Sequence, residues 1–452
     1  MKKGSILFVA ALSSFLTSFM ASAVNIALPA ISGEFGIDVG MLGWIAKAYL
    51  LTSAVFLVPF GRIADIYGRK KIFTYGILVF AISSLLLSLS SSSMMLILLR
   101  VGQALGAAMT ASTVTAILTS VFSLKERGKV LGIYLSAVYL GLSLGPFLGG
   151  SLTHFFGWRS IFLSNGLLGL VVIAMMVLKI QEEWRETKGE KFDLVGSILY
   201  GVSLTSLIYG LSLLPAIPGV GFTLASGFLF FVFVKWELRE KTPILDISLF
   251  RRNSTFTLSS VASLISYSAT YAISYVLSLY LQYVKGLPPQ HAGLVLASQA
   301  VTQTLFAPIG GKLSDRFEPR FVASLGLGCM ATGLFLLTVL DQGTSLEFIV
   351  GILVLVGMGA ALFSSPNTNA IMSSVEKRFY GVASGMVGTM RYIGQSFSIS
   401  ITTLILTVYL GQNQITPEYY PNFFTSIHVT FLIMTALSLS ALVASLIRGK
   451  IR

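Results

Sequence analysis

Fourteen apolar stretches of about 20 residues, separated by short polar loops, leave this chain few ways to fold. A helix rises about 1.5 Å per residue and the hydrocarbon core of a bilayer is about 30 Å thick, so each stretch is long enough to cross it. The windows fall near residues 5–29, 41–63, 72–92, 94–120, 129–153, 159–179, 194–214, 218–235, 255–283, 289–311, 320–340, 347–370, 380–410 and 424–447. Of the 452 residues 54% are hydrophobic and only 11% charged, with a mean hydropathy of +0.83, a composition that excludes a soluble globule. The expected fold class is an all-α polytopic membrane protein. An even number of spans puts both termini on one side.

The basic residues set the orientation. Of 31 Lys and Arg, 26 lie in the termini and alternate loops on one side, two (Arg159 and Lys285) on the other, and three (Lys47, Arg100 and Arg391) inside the windows. The excess of positive charge marks the cytoplasmic face, so a multi-pass protein of a cytoplasmic membrane with both termini in the cytoplasm is expected. The net charge of +13 belongs to this topology. The basic residues form no patch interleaved with aromatics, so nucleic acid is not an expected partner. Residues 1–23 imitate a signal peptide, but the apolar run continues through Asn25 to Pro29, and the segment is expected to remain as the first span.

Several chemistries are not written in the chain. The single cysteine, Cys329, permits no intramolecular disulfide. There is no Walker loop, no GxGxxG in a βαβ setting and no metal-ligand cluster, so neither an enzyme nor a cofactor nor ATP-driven transport is expected. The histidines, His154, His291 and His428, all fall toward the face opposite the termini, where an interfacial, structural role is the simpler reading.

The chain repeats itself. Gly61-Arg-Ile-Ala-Asp65-Ile-Tyr-Gly68-Arg69-Lys70-Lys71 follows the second span, and Gly311-Lys-Leu-Ser-Asp315-Arg316-Phe-Glu-Pro-Arg320 follows the tenth, 250 residues later. Two homologous six-helix halves with two inserted helices account for that offset, dividing the chain at 1–180, 181–250 and 251–452. Parallel halves of this kind place a substrate path between them.

The fourth span carries Arg100-x-x-Gln103-x-x-Gly106. The fifth carries Gly141-x-x-x-Gly145-Pro146-x-x-Gly149-Gly150, followed by Gly157-Trp158-Arg159. Glycines four apart share one helix face and let a neighbouring helix approach at backbone distance, while Pro146 breaks the helix at the contact. Together with the loop after the second span, these motifs resemble the major facilitator superfamily, and within it the 14-spanning drug:proton antiporter subfamily. The resemblance covers essentially the whole chain. It implies the major facilitator fold, two six-helix bundles plus two inserted helices, working without a cofactor as a proton-coupled exporter of amphipathic small molecules by alternating access, as a monomer. It also implies that Gly61, Asp65, Gly68 and Arg69, with Asp315 and Arg316 as the weaker copy, form a conformational latch. The segment from Gly141 to Gly150 would be the exporter motif of the fifth span.

The chain departs from these relatives in one respect. Anchored on Asn25-Ile-Ala-Leu-Pro29, the subfamily's frequent acid in the first span falls at Met20, and none of the 18 acidic residues lies in the interior of the fourteen windows. Asp65, Asp193, Asp315 and Glu347 fall at helix ends and the others in loops. The interior instead holds Lys47, Arg100 and Arg391, and charges at that depth are functional candidates, for charge balance or a proton relay with Gln103. Lys47 lies about six residues from a helix end, roughly 9 Å, so snorkelling also explains it. Arg391, about eleven residues deep, also suits an inter-helix strut. An anionic or carboxylate substrate is therefore an alternative expectation, and a transport-inactive sensor or scaffold is a third.

Ser263, Tyr267, Tyr271 and Tyr275 recur every four residues on the ninth span, giving one hydroxylated aromatic face. Such a stripe serves packing or a binding site. Since this span resembles the first helix of the second half, which lines the cavity in the family, Tyr267, Tyr271 and Tyr275 are candidates for substrate contact. Asn367 and Asn369 on the twelfth span, and Ser14, Thr17 and Ser18 on the first, are weaker ones.

Overall fold

The computed structural model describes residues 2–122, 124–180, 182–184, 191–214, 216–245, 247–375, 380–411 and 413–449. Among the described residues every regular element is a helix: α1 (Lys2–Phe35), α2 (Val39–Tyr67), α3 (Arg69–Leu87), α4 (Ser93–Val121), α5 (Leu124–Phe156), α6 (Arg159–Lys179), α7 (Leu194–Leu213), α8 (Ile217–Glu237), α9 (Ile247–Arg252), α10 (Ser254–Leu279), α11 (Pro289–Arg316), α12 (Pro319–Leu336), α13 (Leu346–Ser373), α14 (Tyr380–Leu410) and α15 (Tyr420–Ile447). Thirteen helical segments are long and apolar enough to cross a membrane among the described residues. The 33-residue α5 is the remaining long helix.

Local chemistry sets the helix ends. Ser92, Asp193, Asn253 and Ser345 each accept a hydrogen bond from the backbone N–H three residues on, satisfying a donor that the first turn leaves free. Gly68, with φ 119°, turns the chain between α2 and α3 in a conformation that side chains disfavour. Most helices outrun their apolar windows. One extension matters below: α8, expected to stop at residue 235, continues to Glu237.

Two compact units emerge. The first holds Met1–Ser22, Trp44–Gly145 and Phe156–Ile247; the second holds Ala23–Gly43, Pro146–Phe155 and Ser248–Arg452. Thus α1 and α5 are each divided, α5 between the glycine and the proline of its motif. Within the first unit α7 and α8 run antiparallel as a hairpin. Tyr200 meets Phe233 near one end (5.6 Å between ring centroids) and Tyr209 meets Phe222 near the other (5.3 Å). The Tyr200 hydroxyl donates to the Ala54 carbonyl oxygen, 3.1 Å away, fixing the hairpin to α2. Within the second unit Ser278 Oγ donates to the Asn25 carbonyl oxygen (2.8 Å) and Gln282 Nε2 to that of Ile26 (3.0 Å), so the far half of α1 is held by α10 and the turn after it.

Candidate functional site

The loop after α2 is closed by its own charges. Arg69 Nε donates to Asp65 Oδ1 (2.8 Å), and its Nη1 donates to Ser120 Oγ (2.7 Å) at the end of α4. Arg69 is buried while the Asp65 side chain is 31% exposed, which leaves carboxylate surface for a further donor. At the start of α3 the backbone N–H groups of Arg69 and Lys70 donate to the Trp184 carbonyl oxygen and to Glu183 Oε1, both 2.9 Å away. The ion pair of Asp65 thus lies within its own motif. The side chain of Asp315 lies outside the described residues, and Arg316 is exposed.

The glycine face of α5 does bring helices to backbone distance. A Cβ at Gly141 would come within 2.5 Å of the Phe15 carbonyl oxygen, and Ser22 Oγ donates to the Gly141 carbonyl oxygen (3.4 Å). Farther along, a Cβ at Gly149 would lie 2.9 Å from that of Ala23 on the same helix, α1. The next residue faces another partner: Gly150 packs on the Pro289 carbonyl at the start of α11, and Gly293 of α11 packs on the Pro146 carbonyl. The carbonyl beside the helix-breaking proline is thus approached by a residue with no side chain. Gly145 and Pro146 are both buried.

The buried bases are placed against α2 and its neighbours. Arg100 is 1% exposed; its guanidinium lies over the Tyr49 ring (4.3 Å), Nε donates to the Ile45 carbonyl oxygen (3.3 Å) and Nη1 to Gln103 Oε1 (2.7 Å). Gln103 Nε2 donates on to Ser84 Oγ (2.7 Å), so one chain of hydrogen bonds ties α2, α4 and α3. A desolvated cation–π contact adds about 2 kcal/mol to such a knot. Lys47 is 2% exposed: its Nζ lies 4.7 Å from the Trp44 ring and donates to Ser212 Oγ of α7 (2.8 Å).

On the second unit, Arg391 of α14 is half-buried, with its guanidinium 5.1 Å from the Tyr392 ring. One turn on, a Cβ at Gly394 would lie 2.5 Å from the Leu264 carbonyl oxygen and 2.8 Å from Tyr267 Cβ, so α14 and α10 approach closely beside the tyrosine stripe. Tyr267 and Tyr271 are half-buried and Tyr275 is fully buried, so the stripe is graded rather than a single open face. Ser14 and Thr17 donate within α1, to the carbonyl oxygens of Ala10 and Ser14.

Asn367 is buried in a polar cluster. Its Nδ2 donates to the Ser259 carbonyl oxygen (3.0 Å) and to Ser263 Oγ (2.8 Å), and its Oδ1 accepts from Arg448 Nη1. Arg448, just past α15, is fully buried and also donates to Ser259 Oγ (3.1 Å). Burial pushes this guanidinium down to about 10, so it remains a cation at neutral pH. Sequence reasoning missed Arg448 because a basic residue after the last span reads as a topology anchor.

Comparison with known proteins agrees with this architecture. Residues 10–399 and 259–450 match the family described as Major Facilitator Superfamily. The riboflavin transporter RibZ of Clostridioides difficile is 27% identical over 412 residues, covering 91% of this chain and 89% of that protein. The multidrug resistance protein Stp of Mycobacterium tuberculosis is 30% identical over 413 residues, covering 90% of this chain and 76% of that protein. Among solved structures, a bacterial homolog of the human lysosomal transporter Spinster, in an inward-facing and unoccupied conformation, superposes with a TM-score of 0.73 at 16% identity, over 99% of this chain and 97% of that one.

Proposed function

We propose, from the premise that the chain belongs to the Major Facilitator Superfamily and is therefore a membrane transporter of small molecules rather than an enzyme, that it exports amphipathic compounds in exchange for protons by alternating access. The observation that carries this reading is the seam of α5. Gly141 and Gly149 admit α1 at backbone distance, and Pro146 and Gly150 meet α11, placing a breakable point of one helix at the junction of three. The halves that alternate are residues 1–180 and 251–452, with 181–250 as the inserted pair. The distribution of Lys and Arg supports a cytoplasmic-membrane protein with both termini inside. The similarity to a multidrug resistance protein supports the breadth of substrate.

A second reading concerns substrate charge. The interior carries buried Lys47 and Arg100, and like charges 8 Å apart repel by about 2 kcal/mol at an effective dielectric of 20. Riboflavin, named for one relative, is a ring compound without net charge at neutral pH. Neutral or anionic ring compounds are accordingly the better substrates. The test is transport in proteoliposomes with pH gradient and membrane potential imposed separately, comparing cationic, neutral and anionic dyes on wild type and Arg100→Gln. Export that follows the pH gradient supports proton exchange, and export indifferent to both gradients overturns it. Tight binding of a cationic dye, unchanged in Arg100→Gln, overturns the charge preference alone.

A further inference from the structure

The two inserted helices bring together the acids that the sequence placed apart. Asp193 caps the start of α7, and Glu237 is the last residue of α8, opposite it in the antiparallel hairpin. Glu237 is 3% exposed and Asp193 6%. Between them lies Gly196, where a Cβ would collide with Asp193 Oδ2 and Glu237 Oε1, so both carboxyl oxygens occupy the space that the missing side chain leaves. One turn deeper the pair Tyr200 and Phe233 closes the hairpin.

The donors around the two acids are unequally shared. Asp193 Oδ1 accepts from the Gly196 N–H (2.8 Å), and Trp236 Nε1 donates to both of its oxygens (3.1 Å each). Glu237 Oε2 accepts from the Leu245 N–H (2.9 Å), while its Oε1 is buried and receives no donor among the described residues. A buried carboxyl oxygen without a donor, facing a second carboxyl, is costly unless one of the two carries a proton. Asp193 has two donor groups, the Gly196 N–H and the Trp236 Nε1, and Glu237 Oε1 has none among the described residues, so the geometry leaves the proton to Glu237.

We propose that Asp193 and Glu237 form a proton-binding site at the base of the inserted hairpin, with one proton held on Glu237 Oε1 and donated to Asp193 Oδ2. The site is independent of the exporter reading. The further charge acting on Glu237 is Glu240, again acidic, whose carboxylate is turned to the N–H groups of Lys241 and Thr242. The neighbouring bases Lys191, Lys235, Arg239 and Lys241 are exposed, and on the α2 side the hairpin meets the Ala54 carbonyl through Tyr200. The bound proton joins the start of α7 to the end of α8 and, through Leu245, to the segment leading into α9. Its release places two negative charges face to face and drives them apart.

Infrared difference spectroscopy of the full chain in lipid nanodiscs, titrated with pH, tests this. The expected result is a carboxylic-acid carbonyl band present at neutral pH, removed at higher pH and lost entirely in Glu237→Gln. In Asp193→Asn the band persists but its midpoint falls, since the proton has lost the anion that holds it. Because the wild-type titration stands alone, absence of the band at neutral pH overturns the proposal even if a variant fails to fold. An identical band in wild type and Glu237→Gln also overturns it. So does a midpoint that moves with added sodium or magnesium, which would assign the pair to a metal cation.

Discussion

Lys47 Nζ on α2 donates to Ser212 Oγ on α7 across 2.8 Å, and the ammonium rests on the Trp44 ring. A residue that the sequence offers as a snorkelling or relay charge thus fastens an inserted helix to the first unit. Trp44 continues the contact, its ring 5.9 Å from that of Tyr209 on the same inserted helix.

A double-mutant cycle of Lys47→Met and Ser212→Ala should return a coupling of about 0.6–1.7 kcal/mol, the range that polar contacts between membrane helices give. Reversible unfolding of the purified variants in detergent reads it. Strict additivity would show that the pair adds nothing to the attachment.

Asp65→Asn should slow transport far more than Asp315→Asn while leaving insertion and expression intact. The Asp65 side chain is 31% exposed, so loss of its pairing with Arg69 costs nearer the ~1 kcal/mol of exposed pairs than the ~3–5 kcal/mol of buried ones. Stability therefore changes little, and the defect is read as rate. Equal transport rates for the two purified variants would remove the special role of the first loop.

Gly149→Leu and Gly141→Leu should abolish transport, and Gly149→Ala should reduce it severalfold, because even a methyl group at Gly149 would lie 2.9 Å from Ala23 Cβ. Transport in proteoliposomes, normalised to folded protein, measures this. A wild-type rate for Gly149→Leu would mean that α1 and α5 need not stay in contact.

Asn367→Ala should lower the unfolding temperature with the substrate KM unchanged, because it strips an acceptor from fully buried Arg448. Hydrogen bonds to charged groups contribute about 1.5–3 kcal/mol. A raised KM at unchanged stability would instead return Asn367 to the substrate site.

What was legible in the sequence follows from what survives in a one-dimensional pattern. The spans were legible because crossing a bilayer needs a fixed length of apolar chain, and the α5 seam because Gly141, Gly145 and Gly149 repeat every four residues. Asp193 and Glu237 were not, because Glu237 stands among Lys235, Arg239, Glu240 and Lys241 and reads as part of a polar loop. Only the antiparallel register of α7 and α8, opened by Gly196, turns it inward. The polar cluster around Asn367 was hidden for a related reason: its partners Ser259 and Arg448 lie 108 and 81 residues away.

The division of α1 also bears on the order in which the protein is made. Ser278 and Gln282 hold the Asn25 and Ile26 carbonyls, 253 and 256 residues upstream. At about 5–20 residues per second the ribosome needs roughly 13–50 s to deliver those partners. Through that interval the far half of α1 waits in the membrane without them. A helix made some 250 residues before its partners is thus completed late, and the insertion machinery or surrounding lipid must shelter it meanwhile.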